Sequence, residues 1–411
     1  MRIAALGLED FRNFERAEVE LVAGLNLVVG RNAQGKTNLL ESIYCLGGLG
    51  SPRGQDAVLV RNGCERALLH ALVDRSGRTV KVDIEVRPGR GTRALINRTP
   101  VASPAPLGEI STSVFFGPDE LSLIKGSPEG RRRFLDDLVV KLRPGRHSLR
   151  RQWERVLRQR NALLRSAPRP GPSGSTQVAG TLAVWDESLC RIGATVAAAR
   201  LEALARLLPF ARKRYAEVAG GGEMELRYAS SWLDDATPDG VPDEARLREA
   251  LAERLEEARA RELERGVSLV GPHRDDVGIR LRSSTSAAPV LDARTYASQG
   301  DQRTAALALK LAESDLLADA LGEHPILLLD DVFSELDPSR RAWLSDAVRG
   351  HGQQVVLSSA EPDAANAARA DLLVEVTGGR IEARGGVGRT AEGDRDGLGR
   401  TAGNEGGAVR G

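Results

Sequence analysis

Cysteine is scarce and unpaired in this 411-residue chain: Cys45, Cys64 and Cys190 are scattered, form no C-x-x-C motif and leave an odd number. That excludes a disulfide framework and a zinc ribbon, and it points to a reducing compartment. No apolar run approaches the length that spans a bilayer, and Met1 does not open a signal-peptide pattern. No membrane partner is therefore expected, and the cytoplasm is the expected location. Net charge is missing as well, since 58 Lys+Arg against 57 Asp+Glu leave +1, so a surface for a polyanion must come from local asymmetry. Sustained heptads are absent, because Pro209, Gly220-Gly221-Gly222 and Pro238 to Pro242 interrupt the register, which argues against long coiled-coil arms. No reading-helix motif is present either, so sequence-specific DNA readout is not expected.

What is there supports a globular chain: 41% hydrophobic residues over this length suffice for sizeable cores in two or three domains. Its centre is Gly30-Arg31-Asn32-Ala33-Gln34-Gly35-Lys36-Thr37, which fits the phosphate-loop pattern G-x-x-x-x-G-K-[ST] at every fixed position. Leu25 to Val29 before it reads as a short buried strand, and Leu39, Leu40, Ile43 and Leu46 after it recur at helical spacing. The chemistry needs these residue types. Glycines let backbone N–H groups close on phosphate oxygens, the helix N-terminus adds partial positive charge, Lys36 reaches the outer phosphates, and Thr37 ligates Mg²⁺.

Around this loop the pattern reads as an α/β nucleotide-binding core with a β-meander. Strands are expected at Ile3 to Leu8 and Ala17 to Leu21, then at 67–73, 79–86 and 93–96 across Gly turns, then at 113–116. From about 121 to 270 the pattern turns helical, with stretches at 128–165, 181–218 and 243–265 around a Pro/Gly loop at 168–174. This is a compact helical lobe. Beyond Gly271-Pro272 β/α alternation returns, with a strand at 277–281, a helix from about 300 to 319, strands at 326–329 and 355–357, a helix at 338–349 and a hairpin over 373–383. The expected organisation is thus residues 1–120 and 271–383 in the ATPase lobe, 121–270 in the helical lobe, and a Gly-rich, disordered tail over 384–411.

Ile326 to Leu329 is an apolar strand ending in Asp330-Asp331, and a buried parallel strand delivers its carboxyl end to the ligand. Asp330 is placed to share Mg²⁺ with Thr37, and Asp331 to orient or deprotonate the attacking water. Ser298-Gln299-Gly300-Asp301-Gln302-Arg303 then puts a hydroxyl and a glycine at the start of a helix that can present N–H groups to an anion.

With the S-x-L-D stretch at 334–337, these motifs resemble the ABC-type ATPases. Within them, Asn32 to Glu41, Lys125 to Pro128 with Arg131 to Asp136, Gly271 to Asp276, and Ser298 to Arg303 are similar to the motifs of the RecF family of DNA-repair ATPases, over residues 1 to about 383. About 260 residues separate Thr37 from Ser298, far more than in transporters. The resemblance implies an ABC-type ATPase head plus the helical lobe, ATP and Mg²⁺ as cofactors, and a signature of Ser298, Gln299, Gly300 and Arg303 that covers the nucleotide of a second copy in an ATP-dependent homodimer. It implies a weak DNA-dependent ATPase that binds single-stranded, duplex or gapped DNA and works with RecO and RecR toward RecA. Arg12 is similar to a nucleotide-contacting residue of related heads, with a surface charge as the alternative. Asp301 departs from the family's usual Gln or Glu.

Between Arg131 and Arg169, thirteen Lys/Arg face three acids, so Arg150, Arg151, Arg155 and Arg158 either track a phosphate backbone or solvate a face. Arg274 and the two aspartates of Gly271-Pro272-His273-Arg274-Asp275-Asp276 are expected to brace the lobe junction by ion pairs. Competing functions are an ATP-gated scaffold without significant hydrolysis, which the short Asp331 leaves open, and another SMC-like head ATPase.

Overall fold

A computed structural model describes residues 1–54, 56–166, 175–233, 242–282, 289–335, 338–349, 352–361 and 369–385. The expected Pro/Gly loop at 168–174, the end of the S-x-L-D stretch at 336–337 and nearly all of the expected tail lie outside the described residues.

The N-terminal half begins with β1 (Arg2–Phe11), β2 (Phe14–Glu20), β3 (Leu25–Val29) and α1 (Lys36–Cys45). The meander follows as β4 (Ala67–Arg75), β5 (Arg78–Arg87), β6 (Gly91–Ile96) and β7 (Thr99–Val101), then α2 (Ala105–Ile110) and β8 (Ser113–Phe116). Helices come next: α3 (Ser122–Lys125), α4 (Pro128–Leu142), α5 (Leu149–Ser166) and α6 (Ser175–Val218), then β9 (Glu223–Ala229) and α7 (Glu244–Arg265). The chain continues through β10 (Asp276–Arg282), β11 (Leu291–Asp292), α8 (Ala293–Tyr296), α9 (Gln299–Leu321), β12 (Ile326–Asp330), α10 (Val332–Glu335), α11 (Pro338–Arg349), β13 (Val355–Ser359), β14 (Leu372–Thr377) and β15 (Arg380–Gly385).

Two six-stranded sheets flank the phosphate loop and its helix. One is antiparallel, in the order β2-β1-β4-β5-β6-β7. The other, β15-β14-β3-β13-β12-β8, is parallel except for β15. Alternation along its strands splits the interior into two cores. Ile326 and Leu328 join Leu39, Leu40 and Ile43 of α1 and the inner face of the meander. Leu327 and Leu329 join Leu307 and Leu311 of α9 and the helical lobe. With both faces covered, the central strands are buried along their length and mostly apolar, which is why 25–29 and 326–329 were readable as runs.

Two expectations change. The strand at 277–281 does not belong to the parallel sheet. It pairs with β9, a strand the residue pattern left unassigned, and with β11 in a separate three-stranded sheet. Pro209 lies inside α6, which runs through it. Its ring sits on an exposed face, where water can satisfy the carbonyl that loses its N–H partner. Arg274 makes no acid pair among the described contacts and reaches only the Ser268 carbonyl at 3.4 Å. The junction is held instead by Arg131, bidentate to Asp276 at 2.7 and 2.9 Å, and by Arg200, bidentate to Asp136 at 2.7 and 2.9 Å and bonded to the Pro272 carbonyl. Asp275 is fully buried and accepts from Tyr228 Oη at 2.7 Å and Trp232 Nε1 at 3.0 Å, and burial pushes its carboxyl up to about 6.

His273 packs near Trp153, with ring centroids 5.8 Å apart, and its Nε2 donates to the Ser268 carbonyl at 3.2 Å. Burial, with Arg274, Arg132 and Arg160 nearby, pushes its pKa down to about 4. The unfolded chain therefore takes the proton first. His273 contributes stability that is complete above its ordinary value near 6.5 and is lost as pH falls from there through 4. Between pH 7 and pH 4.5 the expected loss from this group is about 2–3 kcal/mol at ~1.4 kcal/mol per pH unit. Denaturant unfolding at the two pH values should show His273→Gln losing less stability than the parent by about that amount. Equal losses would assign the acid sensitivity elsewhere.

Candidate nucleotide site

The loop between β3 and α1 has the backbone a phosphate cradle needs. Gly35 lies at φ 118° and Ala33 at φ 64°. A Cβ on Gly35 would sit 2.7 Å from the Asn13 amide, and one on Gly30 would collide with the Val376 carbonyl, so both glycines are sterically required. Lys36 folds back onto its own loop, donating to the carbonyls of Gly30 at 2.6 Å and Arg31 at 3.1 Å. Burial lowers its pKa, and Asp331 and Asp330 work against that shift.

Two elements outside the motif hold the loop. Asn13 donates to the Gln34 carbonyl at 2.8 Å and accepts from Asn38 at 2.8 Å. Gly378, in the β14–β15 turn, donates its N–H to Gln34 Oε1 at 2.6 Å. Neither was legible in advance, because an Asn after a strand and a Gly pair in a hairpin carry no signal of what they touch.

The strand β12 brings its carboxylates to the loop as expected. Thr37 Oγ1 donates to Asp330 Oδ1 at 3.0 Å, and Ser358 Oγ, from neighbouring β13, donates to the same oxygen at 2.6 Å. Asp330 is buried, and that burial raises its pKa while the Ser358 and Thr37 hydroxyls hold it back. A hydroxyl and a buried carboxylate oxygen converging from two elements form a hard oxygen donor pair, which suits Mg²⁺. Among the described residues no cluster of three or more His, Cys, Asp or Glu could hold a metal alone, so further ligands would have to come from nucleotide phosphates and water. Asp331 follows at φ 53°, with its N–H on Ser358 Oγ at 3.0 Å and its side chain only partly covered. Its carboxylate is therefore accessible where that of Asp330 is not.

Arg12 is neither a free surface charge nor available as it stands. It forms a bidentate pair with Glu41 of α1, both bonds 2.8 Å. Glu41 is fully buried and also accepts from Arg53 at 2.6 Å and Ser51 at 2.5 Å. Burial pushes its carboxyl up, but the bonds from Arg12, Arg53 and Ser51 outweigh that and leave it low. This knot fixes one side of α1 to the β1–β2 turn and to the loop after α1.

The signature stretch lies at the start of α9. Ser298 caps α9, accepting from the Asp301 N–H at 3.1 Å and donating to Asp301 Oδ2 at 2.8 Å. Among the described contacts Asp301 therefore meets the cap through the Ser298 hydroxyl and not through the Ser298 backbone N–H, so the pair is an N-cap without the reciprocal bond of a capping box. Ser298, Gln299 and Gly300 are exposed, and Arg303 is half-buried. An exposed helix N-terminus, with Ser298 Oγ and an Arg340 guanidinium nitrogen within 4.0 Å of where a Cβ on Gly300 would sit, can receive an anion from outside.

The basic stretch is less of a surface than its count suggests. Arg131 is spent on Asp276, Lys141 on Glu313 at 2.7 Å, and Arg160 on Asp186 and Glu262 at 2.6 and 2.7 Å, all three basic side chains buried. On α5, Arg150 and Arg158 share Glu154 at 2.9 and 3.8 Å. Arg151 and Arg155 are exposed with no ion pair among the described contacts. The acids that neutralise the stretch lie far away in sequence, which local charge counting cannot see.

No described helix is long and apolar enough to cross a membrane. A family model described as the RecF/RecN/SMC N terminal domain matches residues 2–382. The chain is similar, at 43% identity, to the DNA replication and repair protein RecF of Streptomyces avermitilis over 93% of this chain and 100% of that one. It is 42% identical to the protein of the same name from Beutenbergia cavernae, over 94% of this chain and 98% of the relative. Among solved structures, the recombination mediator protein RecF-ATPrS in the RecFOR pathway superposes with a TM-score of 0.82 at 29% identity, covering 93% of this chain and 98% of that one. An Smc head bound to the C-terminal winged-helix domain of ScpA shares the fold, with a TM-score of 0.53 at 14% identity over 94% of this chain and 98% of that one.

Proposed function

The chain belongs to the RecF family, and from that premise we propose that it is an ATP-controlled DNA-binding protein of recombinational repair and replication-gap processing. The observation that carries this reading is the meeting of Thr37 and Asp330 at 3.0 Å beneath the phosphate loop. When bound, ATP with Mg²⁺ supplies the triphosphate and the positive centre that screens it. Loop N–H groups and Lys36 grip the phosphates, while Thr37 and Asp330 hold the metal. Asp331 orients or deprotonates water for slow, DNA-stimulated hydrolysis. Ser298 redirects its hydroxyl from Asp301 to a phosphate of a facing copy, with the Gly300 N–H beside it, so that nucleotide closes a homodimer.

The relatives' place in the RecFOR pathway supports RecO and RecR as partners and the delivery of RecA to gapped DNA, in the cytoplasm. Arg151 and Arg155 are the DNA-facing cations of α5, with Arg150 and Arg158 secondary because each is tied to Glu154. Binding to single-stranded, duplex and gapped DNA, each with and without ATP, tests the reading. ATP should tighten at least one of these complexes. Arg151→Glu with Arg155→Glu should lower the slope of log affinity against log salt by about 1–2, at ~0.9 per lost phosphate contact, and leave ATP binding by the monomer unchanged. ATP-independent DNA binding would refute the switch, and an unaltered slope would return α5 to a solvated face.

A further inference from the structure

Tyr296 is the most exposed of the large apolar side chains among the described residues, at 67%. It ends α8, two residues before Ser298. Such a ring on a loose loop would mean little, but this one is held. Asp292 caps α8 by accepting from the Thr295 N–H at 2.9 Å, and Ala293 at its base is buried. Gln302, 3% exposed on the first turn of α9, reaches back to the carbonyls of Ala293 at 3.0 Å and Arg294 at 3.5 Å. A buried amide thus staples the short helix to the signature helix and fixes where Tyr296 stands relative to Ser298. Leu291, 37% exposed, lies on the same segment.

We propose that Tyr296 is a positioning residue that stacks on the adenine or its ribose in the facing protomer's nucleotide, so that the signature segment reads the nucleoside as well as the phosphates. The proposal rests on the composite site of the preceding section. Two residues of chain span at most ~7 Å between Cα atoms, and a tyrosine side chain adds the reach of its ring. With Ser298 at the phosphates, the sugar and base come within reach of the ring. Aromatic faces stack on any base without a hydrogen-bond code, and the phenol oxygen is not needed for that.

Tyr296→Ala should leave ATP binding by the monomer unchanged and raise the ATP concentration needed for half-maximal dimerisation about tenfold, the factor that ~1.4 kcal/mol gives. Tyr296→Phe should behave as the parent. A second readout separates base stacking from a protein contact across the interface. The triphosphate of 2-aminopurine riboside, an ATP isomer with a fluorescent base, should be quenched on dimerisation of the parent. That quench should be missing from Tyr296→Ala dimers restored at high nucleotide concentration. Dimerisation of Tyr296→Ala at the parental ATP concentration, or retention of the quench in its dimers, overturns the proposal. Ser298→Arg is the control: if it dimerises normally, the composite site itself fails. If it blocks dimerisation while Tyr296→Ala has no effect, only the stacking role falls.

Discussion

Lys36→Met loses ATP affinity by about 10²–10⁴-fold while remaining a folded monomer. The first half of that expectation comes from the loop. The ammonium, which rests on the Gly30 and Arg31 carbonyls, is the side-chain charge expected to turn to the outer phosphates, and two charge-assisted bonds would contribute roughly 1.5–3 kcal/mol each. The second half comes from burial. Lys36 is 7% exposed, and desolvation already lowers its pKa, so the folded chain gains little from the charge. Methionine fills similar volume and leaves only the Gly30 and Arg31 carbonyls without a donor, at a loop edge that water can reach. Equilibrium binding of ATP, with thermal unfolding measured in parallel, checks both halves. Unchanged affinity would mean the loop is not the nucleotide site, and an unfolded variant would mean that Lys36 supports the loop more than its ligand.

Much of this arrangement could be read in advance, for a physical reason that also limits it. Strand, loop and helix at Leu25 to Leu46 are contiguous, and both glycines, Lys36 and Thr37 are set by local backbone and ligand chemistry. Asp330 was legible because a strand buried on both faces leaves an uninterrupted apolar run that ends where the acids begin. Contacts between distant segments were not. Glu41 looked like one more helix acid until Arg12, Arg53 and Ser51 closed over it. Ser358, which shares Asp330 with Thr37, reads as an ordinary strand residue.

The omissions have the same origin. Thirteen basic residues left a phosphate-tracking surface and a solvated face open, and the count could not show that Asp276, Glu313 and Glu262, more than a hundred residues further along the chain, pair with three of them. Strand β9 was missed because seven residues between glycines and a proline-rich stretch gain their identity only by pairing with β10.

The composite site yields the other large effect. Ser298→Arg should leave ATP binding by the monomer nearly intact, because among the described contacts the Ser298 side chain bonds only to Asp301 and is exposed. Against a facing protomer, the added bulk and charge should abolish ATP-dependent dimerisation and hydrolysis. Mixing Ser298→Arg with Lys36→Met then discriminates the arrangements. In a heterodimer, one site pairs the intact loop of the Ser298→Arg chain with the intact signature of the Lys36→Met chain, and the other site carries both defects. One working site should reappear, so sedimentation at varied mixing ratios with ATP should reveal heterodimers that neither variant forms alone. If each site were complete within one chain, every protomer in the mixture would stay defective and no dimer would form. Recovered dimerisation is the decisive criterion rather than turnover, because hydrolysis can require both sites to act together, whereas the energy to close one interface can come from a single bound nucleotide.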